Sequence, residues 1–306
     1  MRLPGEPEAL ASALPTVVPF RHPGRWVSGA CVLVFLGFLL TAFARAQIDY
    51  AVIPKYIFSP VILLGVINTM KLTALCMALG ISLGIVFAAM RQSINPVLRW
   101  SAGFYVWFFR GTPVLVQLLI WFNLALVFRT VGVPGIVSLS TNAVLTPFVA
   151  ALLGLGINEG AYMTEIVRSG MLAVDVGQID AAQAVGLTRR QTLRRVILPQ
   201  ALRVIIPPTG NETIGMLKYT ALAFVISYNE LLSSAYKIYS VNLKVIELLF
   251  TACLWYLTLT TVLMFGQRFL ERRYGRGFGQ MSQANLGRTS ALRPRVLLTR
   301  LWRIDV

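Results

Sequence analysis

VILLGVINTMKLTALCMALGISLGIVFAAM, residues 61–90, is one uninterrupted apolar stretch with Lys71 as its single charge. A hydrocarbon core needs about 20 consecutive apolar residues per helix, so this run is long enough to cross it. Outward from it the pattern repeats. Trp26 to Phe43 precedes it, and Phe104 to Phe128, Ala143 to Thr164, Leu198 to Ile226 and Val245 to Leu270 follow. About six crossings are expected, which makes the chain an all-α polytopic membrane protein. The composition agrees: 13% of residues are charged, against about 25% in soluble domains. Cys31, Cys76 and Cys253 each lie in an apolar run without metal-like spacing and read as packing residues.

The formal net charge of +16 raises the question of nucleic-acid binding, and the placement of the basic residues answers it. With the N-terminus inside, twenty of the 28 Lys and Arg fall on cytoplasmic segments and five, Arg45, Lys55, Arg129, Lys237 and Lys244, on outer loops. That asymmetry is the positive-inside pattern, so the basic excess is an orientation signal and both termini are expected in the cytoplasm. The basic start, first apolar run and small residues Ala42 to Ala46 also resemble a cleavable signal peptide. The leading polar segment is long for one, and the first run is read as a span. The Arg-rich tail from Glu271 reads as an orienting charge, with Val296 to Arg303 as an alternative contact for an anionic leaflet.

Between the fourth and fifth runs lies Asp175-Val-Gly-Gln178-Ile-Asp180-Ala181-Ala182-Gln-Ala-Val-Gly186-Leu187-Thr188-Arg-Arg-Gln191, continuing to Leu198-Pro199. Asp175 with Gln178 is a capping-type helix start, and Thr188 with Gln191 is a capping box for a second helix. Gly186 stands where the first helix needs a left-handed terminating residue. An Ala-rich helix followed by a sharp reversal suits a docking groove.

At these residues the chain resembles the integral membrane permeases of ABC importers. Their cytoplasmic signature runs Glu-Ala-Ala, three residues, Gly, about nine residues, then Ile-x-Leu-Pro. Here Asp180-Ala181-Ala182, Gly186 and Val196-Ile197-Leu198-Pro199 occupy those places, with Asp one methylene shorter than Glu. The resemblance implies that Gln178, Asp180, Ala181, Ala182, Gly186, Leu187 and Pro199 couple the membrane helices to a nucleotide-binding subunit. Thr69-Met-Lys71-Leu72, Arg110-Gly111-Thr112-Pro113 with Val116-Gln117-Leu118, Gly160-Ala161-Tyr162-x-x-Glu165-Ile166-x-Arg168, Leu198-Pro199-Gln200-Ala201 and Lys218-Tyr-Thr220 are similar to the polar amino acid uptake branch. Thr220-Ala221-Leu222 stands where many members have Thr-Ser-Leu.

Polar residues inside the spans are expensive in hydrocarbon and face a bundle interior, a cavity or one another. Arg110, Asn158, Glu159, Tyr162, Asn211, Glu212, Lys218 and Thr220 are therefore candidates for a solute path. Asn158 and Tyr162, four apart, share a helix face, as do Asn211 and Gly215. For a zwitterionic amino acid, Glu159 or Glu212 offers an acceptor to the ammonium, and Lys218 or Arg110 a donor to the carboxylate. The alternative is mutual pairing, for instance of Glu212 with Lys218. The pairs Gly80-x-x-x-Gly84 and Gly156-x-x-x-Gly160 permit close helix packing.

The expected organisation is a cytoplasmic N-tail at 1–25, an extra helix and outer loop at 26–60, a permease domain at 61–270 with its coupling segment at 175–199, and a basic cytoplasmic tail at 271–306. No GxxxxGK[ST] phosphate loop occurs. The expected chain is thus a transport subunit of the bacterial inner membrane that binds no cofactor, while a separate ATPase dimer uses ATP and Mg²⁺. A second permease subunit, an external solute-binding protein and a polar amino acid are the other partners. The rival readings are an ion-coupled secondary transporter, for which no internal repeat is visible, and a permease for another small polar solute. A membrane-embedded enzyme would want a His, Cys or Asp constellation, yet the one His is His22.

Overall fold

The computed structural model describes residues 23–133 and 137–274. The chain divides into two units, Met1–Ile48 and Asp49–Val306. Residues 1–22 of the expected N-tail, His22 among them, and residues 275–306 of the expected C-tail lie outside the described residues. The first unit shows one helix, α1 (Pro23–Arg45), whose large apolar side chains are mostly exposed.

In the second unit a short α2 (Val52–Ile57) leads into α3 (Pro60–Arg91), α4 (Pro96–Gly111) and α5 (Val114–Phe122). A hairpin of β1 (Thr130–Val133) and β2 (Val137–Ser140) and a turn of helix, α6 (Thr141–Val144), precede α7 (Pro147–Leu172). Then come α8 (Val176–Ala184), α9 (Arg189–Thr192), a π turn at Leu193–Ile197, α10 (Leu198–Tyr219), a 3₁₀ stretch at Thr220–Ile226, α11 (Leu231–Asn242) and α12 (Val245–Tyr274). The β-branched residues around Thr130 pair as strands, a small departure from the all-α expectation.

Three helices begin alike. Ser59-Pro60, Asn95-Pro96 and Thr146-Pro147 each place a capping side chain, which accepts the N–H of Ile62, Val97 or Val149, ahead of a proline whose φ is already helical. A proline in a later position does the opposite. Pro113 has no N–H and forces Thr112 into an extended conformation, so the expected third span is broken between α4 and α5 by a bend of 102°.

The stretch from Asn229 to Lys244, expected as an outer loop, is mostly helix α11, packed on α3 and α12. Glu230 caps it, accepting from the N–H groups of Leu232 and Ser233 and from the Tyr256 hydroxyl. The Leu231 N–H donates to Thr69 Oγ1. Tyr256 lies eleven residues into α12, about 16 Å from its start at 1.5 Å per residue. The break between α10 and α11, with Ser227 at φ 61, therefore lies well inside the bundle.

The centre of the fold is the pairing of α3 with α7. A Cβ on Gly80 would meet Glu159 Cγ at 2.6 Å, and one on Gly84 would meet Met163 Cβ at 2.5 Å. On the opposing helix Gly156 accepts Leu79, and Gly160 accepts Leu83 and Tyr105. The two glycine pairs thus interlock with one another. Leu72, Cys76, Leu118, Leu155 and Met163 fill the core around this seam.

α1, α3 and α12 are each long and apolar enough to cross a membrane, and the bent pair α4–α5 makes a fourth. The other two expected crossings are α7 and α10. Asn158, Glu159, Glu165 and Arg168 on the first and Asn211, Glu212 and Lys218 on the second lower their hydropathy, and α7 is enclosed by its neighbours instead.

Gly84→Ala must push α3 and α7 apart. The expected loss is about 1–3 kcal/mol, read as a lower Tm of the purified protein. Gly266→Ala, where a Cβ meets nothing within 4 Å, should leave Tm unchanged.

Candidate functional site

The segment after α7 forms by local rules. The Asp175 carboxylate accepts the Gly177 N–H at 2.7 Å and starts α8. At its end Leu187 N donates to Ala182 O and Gly186 N to Gln183 O, while Gly186 adopts φ +78. This is a Schellman termination, and it needs the left-handed residue that glycine supplies without strain. Both arms of the Thr188–Gln191 capping box are made. The result is a tight helix-turn-helix. Gln178, Asp180, Ala181, Gly186 and Pro199 are exposed, Leu187 is half-buried, and Ala182 is buried. Ala182 therefore cannot be a surface contact in this arrangement. Val174, Ile197 and Ala201, with Met171, Ile179 and Ile205, form an apolar seat beside this segment.

A second set of residues meets where α7 passes the α4–α5 bend. Asn158 Nδ2 donates to Phe109 O at 2.7 Å and to Gln117 Oε1 at 3.1 Å. Gln117 Nε2 is shared among Phe109 O, Thr112 O and Thr112 Oγ1. These bonds satisfy carbonyls that the broken helix leaves without partners. One turn along α7, the Tyr162 ring lies 5.0 Å beneath the Arg110 guanidinium, a cation–π contact. Glu159, between them in sequence, is 2% exposed, and its Oε1 has no hydrogen-bond partner. Glu159 and Glu212 lie within electrostatic reach of one another, as do Glu212 and Arg110.

Arg110, Asn158, Glu159, Tyr162 and Glu212 are thus brought to one region, and the other candidates are not. Asn211 Oδ1 accepts from Gln267 Nε2 on α12 at 2.9 Å, and the same amide donates to Pro207 O and Glu271 Oε1. Lys218 is exposed and six positions from Glu212, about 120° around the helix, so the two do not pair. Thr220 is buried and spends its hydroxyl on Leu217 O. Gln117 and Gln267 were not among the expected site residues. A buried glutamine next to a proline break is the signal that points to Gln117.

Residues 80–276 match the family of binding-protein-dependent transport system inner membrane components. The chain is 42% identical over 262 residues, 85% of its length and 83% of the relative's, to the arginine transport system permease protein ArgU of Corynebacterium glutamicum. It is 38% identical to the L-cystine transport system permease protein TcyB of Bacillus subtilis, over 72% of this chain and 88% of that one. With the glutamine transport system permease protein GlnP of Escherichia coli it shares 34% identity, over 74% and 98% of the two chains. Among solved structures, an amino acid ABC transporter crystallised with histidines superposes with a TM-score of 0.65 at 35% identity, covering 74% of this chain and all of that one. The MetNI methionine ABC transporter, at 18% identity and a TM-score of 0.57 over 70% of this chain and 96% of that one, shares the fold.

Gln117→Leu removes the amide that satisfies the bend. Thr112 O and the Asn158 amide each lose a partner, at about 1–3 kcal/mol per group. The expected outcome is a lower Tm and a broadened distance distribution between spin labels at the exposed Val97 and Ile120. An unchanged distribution would show that Gln117 does not hold the bend.

Proposed function

The chain belongs to the inner-membrane components of binding-protein-dependent transport systems and is the permease subunit of an ABC amino acid importer, and we propose that Arg110, Tyr162, Glu159 and Glu212 contact its solute. The observation that carries the proposal is the Glu159 carboxylate. It is buried in the bundle with one oxygen unpartnered, whereas buried polar groups are ordinarily satisfied. An ammonium or guanidinium group supplies the missing donors.

The charge of the site narrows the solute class. Two carboxyl groups and one guanidinium offer more acceptors for a cation than donors for an anion, a set that suits an amino acid with a further positive charge on its side chain. Arg110, fixed over Tyr162, is positioned to receive the α-carboxylate. The similarity to a permease named for arginine transport supports the same class. Asn158 and Gln117 hold the bend that sets Arg110 and have no donor left over for the solute.

The helix-turn-helix at 175–199 receives the partner ATPase through Gln178, Asp180, Ala181 and Gly186, with Ala182 securing α8 from beneath and Pro199 opening α10. ATP and Mg²⁺ chemistry resides on that partner. A second permease subunit and an external solute-binding protein complete the importer. The distribution of Lys and Arg supports a cytoplasmic position for this end of the bundle and for both termini. The proposed domain boundaries at residues 25, 60 and 270 rest on where the apolar runs begin and end.

Reconstituted with its ATPase and binding protein, the permease should take up labelled arginine in preference to glutamine. Glu159→Gln should lower arginine uptake roughly tenfold or more, the penalty of leaving one buried charge unpaired, with complex yield unchanged. A variant with undiminished arginine uptake would remove Glu159 from the site. Gly186→Trp places a bulky side chain at a position with φ +78, where no L residue fits without strain. Membrane insertion should persist while co-purification with the ATPase is lost, and a retained complex would overturn the docking assignment.

A further inference from the structure

We propose that Glu165 is a positioning residue for transport, joining the cytoplasmic ends of α3 and α7 into one body that the coupling helix α8 moves. The inference rests on the reading of 175–199 as the ATPase-docking segment.

Glu165 lies seven residues before the end of α7, and Arg91 is the last residue of α3. One carboxylate oxygen, Oε1, lies 3.5 Å from Arg91 Nη2, and the other accepts from Arg168 Nε at 2.8 Å and Nη2 at 2.6 Å. A single acid therefore bridges two helices. Arg91 also reaches α4, since a Cβ on Gly103 would lie 3.1 Å from its Nη1.

Stability is a poor explanation for this cluster. The side chains of Arg91, Glu165 and Arg168 are 31%, 21% and 32% exposed, and pairs so open to solvent contribute about 0–1 kcal/mol. The same two helices are already held by interlocked glycines, the nearest of them within about two turns. What an ion bridge adds at this end is direction: it fixes the angular setting of Arg91 relative to Glu165.

The bridge stands beside the coupling segment. Gln92, next to Arg91, donates to Ala88 O and to the sulfur of Met171. Met171 belongs to the apolar seat with Val174, Ile197, Ala201 and Ile179. A displacement of α8 thus meets α7 through the seat residue Met171 and reaches α3 through the contact of Met171 with Gln92. Glu165 closes the loop between them, so both helices turn together. Without it the glycine seam still holds α3 on α7, but the cytoplasmic ends of the two helices turn independently, and less solute moves for each ATP hydrolysed.

The test uses the full importer in proteoliposomes, with Glu165→Gln and Glu165→Asp compared with the parent. For Glu165→Gln, complex yield, Tm and basal ATPase activity should be retained while solute taken up per ATP hydrolysed falls roughly fivefold or more. Glu165→Asp, which keeps the charge, should recover most of that ratio. An unchanged ratio, or a parallel fall in Tm, ATPase activity and uptake, would overturn the proposal. Failure of the docking reading itself is separate, because Gly186→Trp would then retain the complex whatever Glu165 does.

Discussion

The approach of α3 to α7 is the constraint on which the rest depends. Lipid chains give apolar helices no hydrophobic reason to associate, so backbone proximity and close packing must hold the bundle. Gly80, Gly84, Gly156 and Gly160 supply it by removing side chains on both surfaces at matching heights. With α3 and α7 in contact, the seam between them becomes a place from which lipid is excluded. Glu159 can sit there with its Cβ and Cγ pressed on Gly80 because that glycine leaves the space open. A buried carboxyl group between these two helices therefore depends on the absence of a methyl group at position 80.

Two of the other crossings are broken, while α1 and α12 run through without interruption. α4 and α5 part at Thr112-Pro113, and α10 and α11 part between Thr220 and Glu230. A break inside a membrane frees backbone groups that no water is there to satisfy. Each break brings its own answer: Gln117 and Asn158 serve the carbonyls of the first, and Glu230, Thr69 and Tyr256 serve the second. The two sets differ in chemistry because the first presents acceptors and the second presents the donors of a helix start.

Local geometry was legible in the sequence, and geometry between elements was not. Gly186 and the Thr188–Gln191 box act over three to five residues, and their spacing alone specifies what they bond, whereas Asp175 starts α8 as expected but bonds the Gly177 N–H in place of Gln178. The glycine pairs were visible as packing motifs, but nothing in either motif says that it meets the other. Helical spacing correctly set Asn158 and Tyr162 on one face, because that relation belongs to one helix. It could not place Asn211 against Gln267, since that contact is fixed by how α10 crosses α12. The segment after Asn229 read as a loop because its apolar residues are too few for a span. It is a helix because Glu230 caps it and α3 and α12 cover one side. Pro113 marks the bend in the sequence, but the apolar run continues through it and reads as a single span.

The tight fit of Glu159 on Gly80 ties two positions 79 residues apart in the sequence into a single inherited unit. A lineage that replaced the carboxylate with a smaller group would free the volume now taken by its methylenes, and only then would alanine or serine be admissible at position 80. Conversely, a chance enlargement at position 80 would evict the acid from the seam. Divergence at the buried acid is therefore coupled to divergence in how closely the two central helices lie.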